Sequence, residues 1–282
     1  MNYIEFNFKV NPKHPFTDIL VAQLAEVGFE SFCETDNGVQ AYIQEQERKS
    51  DILQNIEILN NPGESQISHE EKLIPQQNWN ALWESNFDPV KVGMECMVRA
   101  PFHDKHAGFK FDIIIDPKMS FGTGHHDTTM LMIEEVLKLN MSRKRILDMG
   151  CGTAVLAILA AKMDADKIVA IDNEEWAFRN AIENCATNHC QQILVLHGNA
   201  SNIPNNSFDY ILANINKNVL LADMEQYYKH LSTDGRLLIS GFFIHDIPQL
   251  KTHAESMGLK LLTQVESNSW ACVVFEKKQE RK

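Results

Sequence analysis

From Arg145 to the C-terminus, short unbroken apolar runs take turns with amphipathic segments, and this alternation constrains the fold more than any other feature. The runs RILDMG, KIVAID, ILVLHG, FDYILANI and GRLLISGF have the length and continuous hydrophobicity of strands buried on both faces. AVLAILAAKM, EEWAFRNAIENCATNH and VLLADMEQYYKHL lie between them with helical spacing. Such an order predicts a parallel, doubly wound α/β sheet. The final LKLLTQVESNSWACVVFEKK adds an antiparallel hairpin at one edge, turning through Ser267 and Asn268. Ligands of such sheets bind beyond the carboxyl ends of the strands.

The first sixty residues form a separate pattern. YIEFNFKV reads as a strand and HPFTDILVAQLAEVG as a helix closed by Gly28. ESFCET and VQAYIQE read as a hairpin around Asn37-Gly38, followed by a short helix through ERKSDILQ and a strand NIEILN. The order β-α-β-β-α-β predicts a small α+β ferredoxin-like domain over residues 1–60. Residues 61–77, polar and bounded by Pro62-Gly63 and Pro75, read as a linker or hinge. The catalytic domain is expected over 78–282, beginning with Trp79, Leu82, Trp83 and Phe87 at helical spacing as packing residues.

With 282 residues, 38 acidic and 26 basic side chains, the formal charge is −12. That sign disfavours direct binding of nucleic acid and favours a basic protein or peptide as partner. The N-terminus has neither the basic nor the apolar region of a signal peptide, and no run reaches the roughly 18 apolar residues of a membrane helix. Cys33, Cys96, Cys151, Cys185, Cys190 and Cys272 form no C-x-x-C pair, as expected of free thiols in a reducing compartment. The expectation is a cytoplasmic monomer without membrane contact.

Three motifs carry the chemistry. LDMGCGTA is a strand entering a tight turn, where Gly150 and Gly152 let the backbone approach a ligand at a helix N-terminus. Asp172 ends the next strand, 22 residues (172 − 150) after the first glycine, where a carboxylate accepts both ribose hydroxyls of an adenosine cofactor. A dinucleotide needs a phosphate site, and here Val155 stands where a third glycine belongs, while Asp148 presents a carboxylate to any phosphate. A cationic sulfonium is favoured by the same charge, so S-adenosylmethionine is expected rather than NAD. Cys151 reads as a small filler of the turn. Asn199, after the third strand, is placed either to meet the adenine edge or to serve as a turn residue. Asn214, where the fourth run stops, can accept a hydrogen bond from an amine or hold the cofactor, and Asn216 can start the next helix.

SFGTGHHDTT, ILDMGCGT, AID and ANIN, in this order, resemble the bacterial methyltransferases that modify large-subunit ribosomal protein eleven. The resemblance covers about residues 78–282 and also suits the small N-terminal domain, which in that family recognises the substrate. It implies a Rossmann-like class I methyltransferase sheet, S-adenosylmethionine as cofactor, and several amines of one basic protein as acceptors, its N-terminus and lysines included. It also implies that Thr128 and Thr129 meet the methionine end of the cofactor and that Thr129, Gly150, Asp172 and Asn214 are contacts. Thr123 stands either as helix cap or as part of the site. His125-His126-Asp127 is not expected to bind metal, for no further ligand cluster accompanies it. One departure is Ala154, where the family's loop closes with another glycine; its methyl is expected to narrow the loop. Three other readings use the same residues: a methyltransferase for another protein or small molecule, an NAD-dependent oxidoreductase, and a non-catalytic module that binds adenosine ligands.

Overall fold

Phe6, Phe8 and Val10 are buried alternately with wetter neighbours along β1 (Tyr3–Asn11), which gives the strand one apolar face. The computed structural model describes residues 2–75, 87–118 and 121–278. It divides into two compact units, 1–86 and 87–282. The first unit contains β1, α1 (Phe16–Glu26), β2 (Ser31–Thr35), β3 (Gly38–Gln44), the single turn α2 (Glu57–Asn60) and β4 (Gln66–Ile74). Its sheet order is β2-β3-β1-β4 with antiparallel neighbours, the ferredoxin-like split βαβ arrangement. Leu20 and Leu24 of α1 close one core with Phe6, Phe8, Ala41 and Ile43.

Two expectations are corrected here. NIEILN is not the last strand: Ile56 and Ile58 are buried around one helical turn. The strand is Gln66–Ile74, within the stretch expected to be linker, and it pairs with β1 along its whole length. It lies at the sheet edge with most side chains exposed. An edge strand keeps its charges as protection against stray pairing, which is why its sequence reads as a polar connector. The short helix expected through ERKSDILQ is two 3₁₀ turns, Glu45–Glu47 and Ile52–Asn55. Trp79, Leu82 and Trp83 lie outside the described residues.

The second unit opens with a three-stranded sheet, β5 (Val90–Val92), β6 (Cys96–Arg99) and β7 (Phe111–Ile114), followed by α3 (Asp127–Leu137). Then come β8 (Arg145–Met149), α4 (Val155–Lys162), β9 (Lys167–Asp172), α5 (Glu175–Thr187), β10 (Ile193–His197) and β11 (Phe208–Asn214). The unit ends with α6 (Lys217–His230), β12 (Leu231–Phe243), α7 (Ile247–Ser256), β13 (Leu259–Ser267) and β14 (Trp270–Lys277). The seven-stranded order is β10-β9-β8-β11-β12-β14-β13. The strands from β10 to β12 are parallel; β14 runs antiparallel to both its neighbours. Asn268 and Ser269 both take positive φ, 45° and 72°, in the hairpin turn, as a two-residue turn matched to strand twist requires.

Side chains alternate across this sheet. Ile146, Ile168 and Leu212 pack on one face with Leu131 of α3, Leu156 of α4 and Ala181 of α5. Leu147, Val169 and Ile211 pack on the other with Leu220 of α6 and Leu250 of α7. The chain leaves β8 outward through β9 to β10, then returns to β11 on the other side of β8. Beyond the carboxyl ends of β8 and β11 the connections part in opposite directions, and a crevice opens there.

Candidate active site

The glycine turn after β8 holds three alternate left-handed positions: Gly150 (φ 63°), Gly152 (φ 53°) and Ala154 (φ 63°). A Cβ on Gly150 would lie 2.2 Å from Cγ2 of Ile215, and one on Gly152 would lie 2.4 Å from the carbonyl oxygen of Phe121. Neither clash can be relieved without moving backbone or a packed side chain, so glycine is required at both. Asp172 secures the turn from β9: Oδ2 accepts from the Gly152 amide at 2.8 Å and Oδ1 from the Glu174 amide at 3.0 Å. Asp148, 1% exposed, accepts from the Ala157 amide at 3.0 Å and so serves the first turn of α4, whose own N-cap residue, Ala154, has no side chain to do so. Burial foremost, and the neighbouring Asp172 carboxylate, push the Asp148 carboxyl up to about 7. The same burial and the same two carboxylates hold the Cys151 thiol well above its ordinary range, so it is not poised as a nucleophile.

The second half of the site comes from the entry to α3. Thr153 donates its hydroxyl to the Gly122 carbonyl at 2.7 Å, and its amide donates to the Phe121 carbonyl at 3.0 Å. The loop before α3 is therefore clasped to the glycine turn. His126 caps the helix, its Nδ1 accepting from the Thr128 amide at 3.3 Å and lying 2.8 Å from the Thr128 hydroxyl. This corrects the expectation for Thr123, whose hydroxyl lies 3.3 Å from Nδ1 of His125 instead. His125 in turn reaches the Asp88 carbonyl with Nε2, at 2.8 Å. Among the described residues no group of three or more His, Cys, Asp or Glu is gathered for a metal.

Thr128 and Thr129 are buried in the first turn of α3. The Asn214 amide nitrogen donates to the Thr129 hydroxyl oxygen at 3.3 Å, which joins the end of β11 to α3. The other end of that amide, Oδ1, is buried and has no hydrogen-bond partner. A cavity of about 430 Å³ is lined by Thr128, Thr129, Asp148, Gly150, Gly152, Asp172 and Asn214 together with Phe121, Trp176 and Trp270. It has the size of a cofactor site and sits at the switch point of the sheet. The family model described as ribosomal protein L11 methyltransferase (PrmA) matches residues 17–278. The chain belongs to this family.

Individual relatives agree with the family model. Over 279 residues the chain is 42% identical to the ribosomal protein L11 methyltransferase of Bacteroides fragilis, covering 98% of this chain and 99% of that one. With the protein of that name from Chlorobaculum parvum the identity is 34% over 286 residues, covering 98% and 97%. A crystal structure of ribosomal protein L11 methylase from Lactobacillus delbrueckii subsp. bulgaricus superposes with a TM-score of 0.65 at 24% identity, covering 68% of this chain and 100% of that one. A Pyrococcus furiosus methyltransferase superposes at 0.51 with 17% identity, covering 59% and 90%; at these identities the likeness is one of fold. As a member of the PrmA family, the chain is a methyltransferase enzyme.

Methyltransferases of this fold draw on S-adenosylmethionine, and the crevice of this chain fits that group on three observations. Two glycines leave a floor that any Cβ would fill. A buried amide oxygen lacks a partner at the wall. A buried carboxyl, Asp148, lines the crevice, where a cationic ligand would compensate its charge. Seven of the eight residues anticipated as contacts line one cavity; Asn199 does not. Its side-chain oxygen accepts from the Ser201 amide at 2.9 Å and the Ser201 hydroxyl at 2.7 Å, and so closes the turn after β10. The correction has a local cause, for an asparagine followed by serine satisfies itself within its own turn. Asn216 likewise caps α6 through the Val219 amide at 3.2 Å. Ala154 is buried and does not line the cavity, so its methyl does not narrow the crevice; its consequence is the strained backbone. Phe121, Trp176 and Trp270 were not legible as site residues. Trp176 is four positions beyond Asp172 and 47% exposed, the second residue of the helix that follows the acidic strand end.

Proposed function

We propose that this chain transfers methyl groups from S-adenosylmethionine to amines of large-subunit ribosomal protein eleven, its N-terminal α-amine and lysine side chains, in the cytoplasm. The observation that carries the reading is the orphaned Asn214 Oδ1, a buried acceptor without a donor on a residue that lines the crevice. When bound, S-adenosylmethionine supplies a methyl group on cationic sulfur, which leaves as a neutral thioether and needs no general acid.

The remaining work falls to the chain. Gly150 and Gly152 form the floor. Asp172 already accepts one backbone amide on each oxygen, and the remaining lone pairs accept the ribose hydroxyls. The Thr129 hydroxyl accepts from Asn214, which leaves its proton to donate to the methionine carboxylate. Thr128, hydrogen-bonded to the cap His126, fixes the turn that presents it. Asp148 compensates positive charge above the floor. Asn214, its rotamer set by the bond to Thr129, accepts an N–H from the substrate amine and turns the lone pair into the crevice. The amine enters neutral, its proton given to water, since reference values near 8 and 10.4 allow that loss before attack. Catalysis by alignment of this kind needs no histidine base. The acidic chain, net charge −12, favours a basic protein acceptor.

The test is mass measurement of the basic ribosomal protein after incubation with enzyme and cofactor. Gains in multiples of one methyl are expected. Asp172→Ala is expected to weaken cofactor binding at least about tenfold, since two charge-assisted hydrogen bonds are lost. Asn214→Ala is expected to slow transfer about a hundredfold with a smaller change in cofactor affinity. No mass gain with a cofactor that binds would leave a non-catalytic adenosine-binding module in its place.

A further inference from the structure

Along α5, Asn180, Asn184 and Asn188 stand four residues apart on one buried ridge, and all three are at least nine-tenths buried. Two of them hold the chain that leaves β7. Asn188 takes both backbone groups of Ile114: Oδ1 accepts from its amide at 2.9 Å, and Nδ2 donates to its carbonyl at 2.6 Å. Asn184 accepts from the Asp116 amide at 3.0 Å and donates to the Thr153 carbonyl in the glycine turn at 3.1 Å. The spacing matches because four helical residues advance about 6.0 Å and two extended residues about 6.6 Å. The next rung pairs Asn180 with the backbone of Lys118.

That rung is unmade. Asn180 is 2% exposed, and both Oδ1 and Nδ2 lack a hydrogen-bond partner. The Lys118 amide instead donates at 2.9 Å to the carbonyl of Asp116, two residues back, in a tight turn over Pro117. The Lys118 side chain is already at α5, paired with Glu183. Three residues beyond Lys118 begins the Phe121–Gly122 stretch that lines the cavity and is clasped by Thr153.

We propose that Asn180 is a positioning residue whose amide anchors the Lys118 backbone, as Asn188 anchors Ile114, when cofactor occupies the crevice. The anchor holds the chain three residues before Phe121 and Gly122, which line the crevice. The inference rests on the reading of the crevice as a cofactor site. It explains why an amide is kept where an apolar side chain would pack without penalty.

Three measurements on the full chain test it: titration calorimetry with S-adenosylmethionine, hydrogen exchange at the Lys118 amide, and thermal unfolding of the free protein. Asn180→Leu, near in volume, is expected to raise the free protein's midpoint by about 2–4 °C, since an unsatisfied buried amide is removed. It is also expected to weaken cofactor binding about tenfold, raise the cofactor KM with kcat changed less than about twofold, and abolish the ligand-induced protection of Lys118. Asn180→Ala gives the same loss of affinity and protection, should the leucine variant not fold. Wild-type affinity and Lys118 protection in either variant would overturn the anchor and leave the methyltransferase reading intact. Absence of binding to the unaltered chain would overturn both.

Discussion

Asp148 sits at the end of β8 with its carboxyl raised to about 7 by burial, and that shift makes two processes depend on pH. An acid whose folded value lies above its unfolded value of 3.8 holds an extra proton in the folded state between the two. Its contribution to stability is full below about 3.8, falls as pH rises, and is lost above about 7. Asp148→Asn keeps an acceptor for the Ala157 amide and is expected to remove that part of the decline, measured as unfolding midpoint between pH 5 and 8. Cofactor binding runs the other way, because a sulfonium favours the ionised carboxyl. Affinity for S-adenosylmethionine is expected to rise from pH 6 towards 8 in the unaltered chain. It should stay flat in Asp148→Asn, and flat for the product S-adenosylhomocysteine, whose sulfur is neutral. A rise for the product as well would assign the effect to another group. Asp172 and Asn214 were legible because each ends a continuous apolar run. Asn180 was not, because an asparagine in a helix gives no sign of whether its amide is satisfied.

At the scale of elements, the turn between β8 and α4, residues 150–154, joins strand, crevice floor and helix in five residues. Ala154 enters α4 left-handed, a conformation that costs an L-residue about 1–2 kcal/mol. Glycine there removes the strain but gives back about 0.5–1 kcal/mol of unfolded-state entropy. Ala154→Gly is therefore expected to raise the unfolding midpoint by about 1–3 °C with cofactor affinity unchanged, as calorimetry will show; a lower midpoint would mean that packing of the buried methyl outweighs the strain. The strands of the large sheet could be read because burial on both faces demands unbroken hydrophobicity, as in KIVAID. β4 could not, since an edge strand with one wet face carries the composition of a loop. The start of α3 was left open at Thr123 for another reason: its cap is His126, a residue outside the usual serine, threonine, aspartate and asparagine set.

For the whole molecule, the chain divides into units 1–86 and 87–282. All the cavity residues belong to the second unit, and each unit buries its own core. A fragment spanning 87–282, checked for folding by its unfolding midpoint, is expected to bind S-adenosylmethionine with the affinity of the full chain. It is expected to add no methyl groups to the ribosomal protein, by mass measurement, if the first unit recognises the substrate; undiminished methylation would assign recognition to the second. The sequence reads as a linker over 61–77, and the polar β4, Gln66–Ile74, falls inside it. Within the catalytic unit, Thr153 rests on the Gly122 carbonyl, and a Cβ on Gly122 would come within 2.8 Å of the Thr153 hydroxyl oxygen. Two stretches some thirty residues apart are thereby bound to a shared ancestry: neither can drift in length or side-chain bulk unless the other changes with it, and a chimaera that borrows one must borrow both.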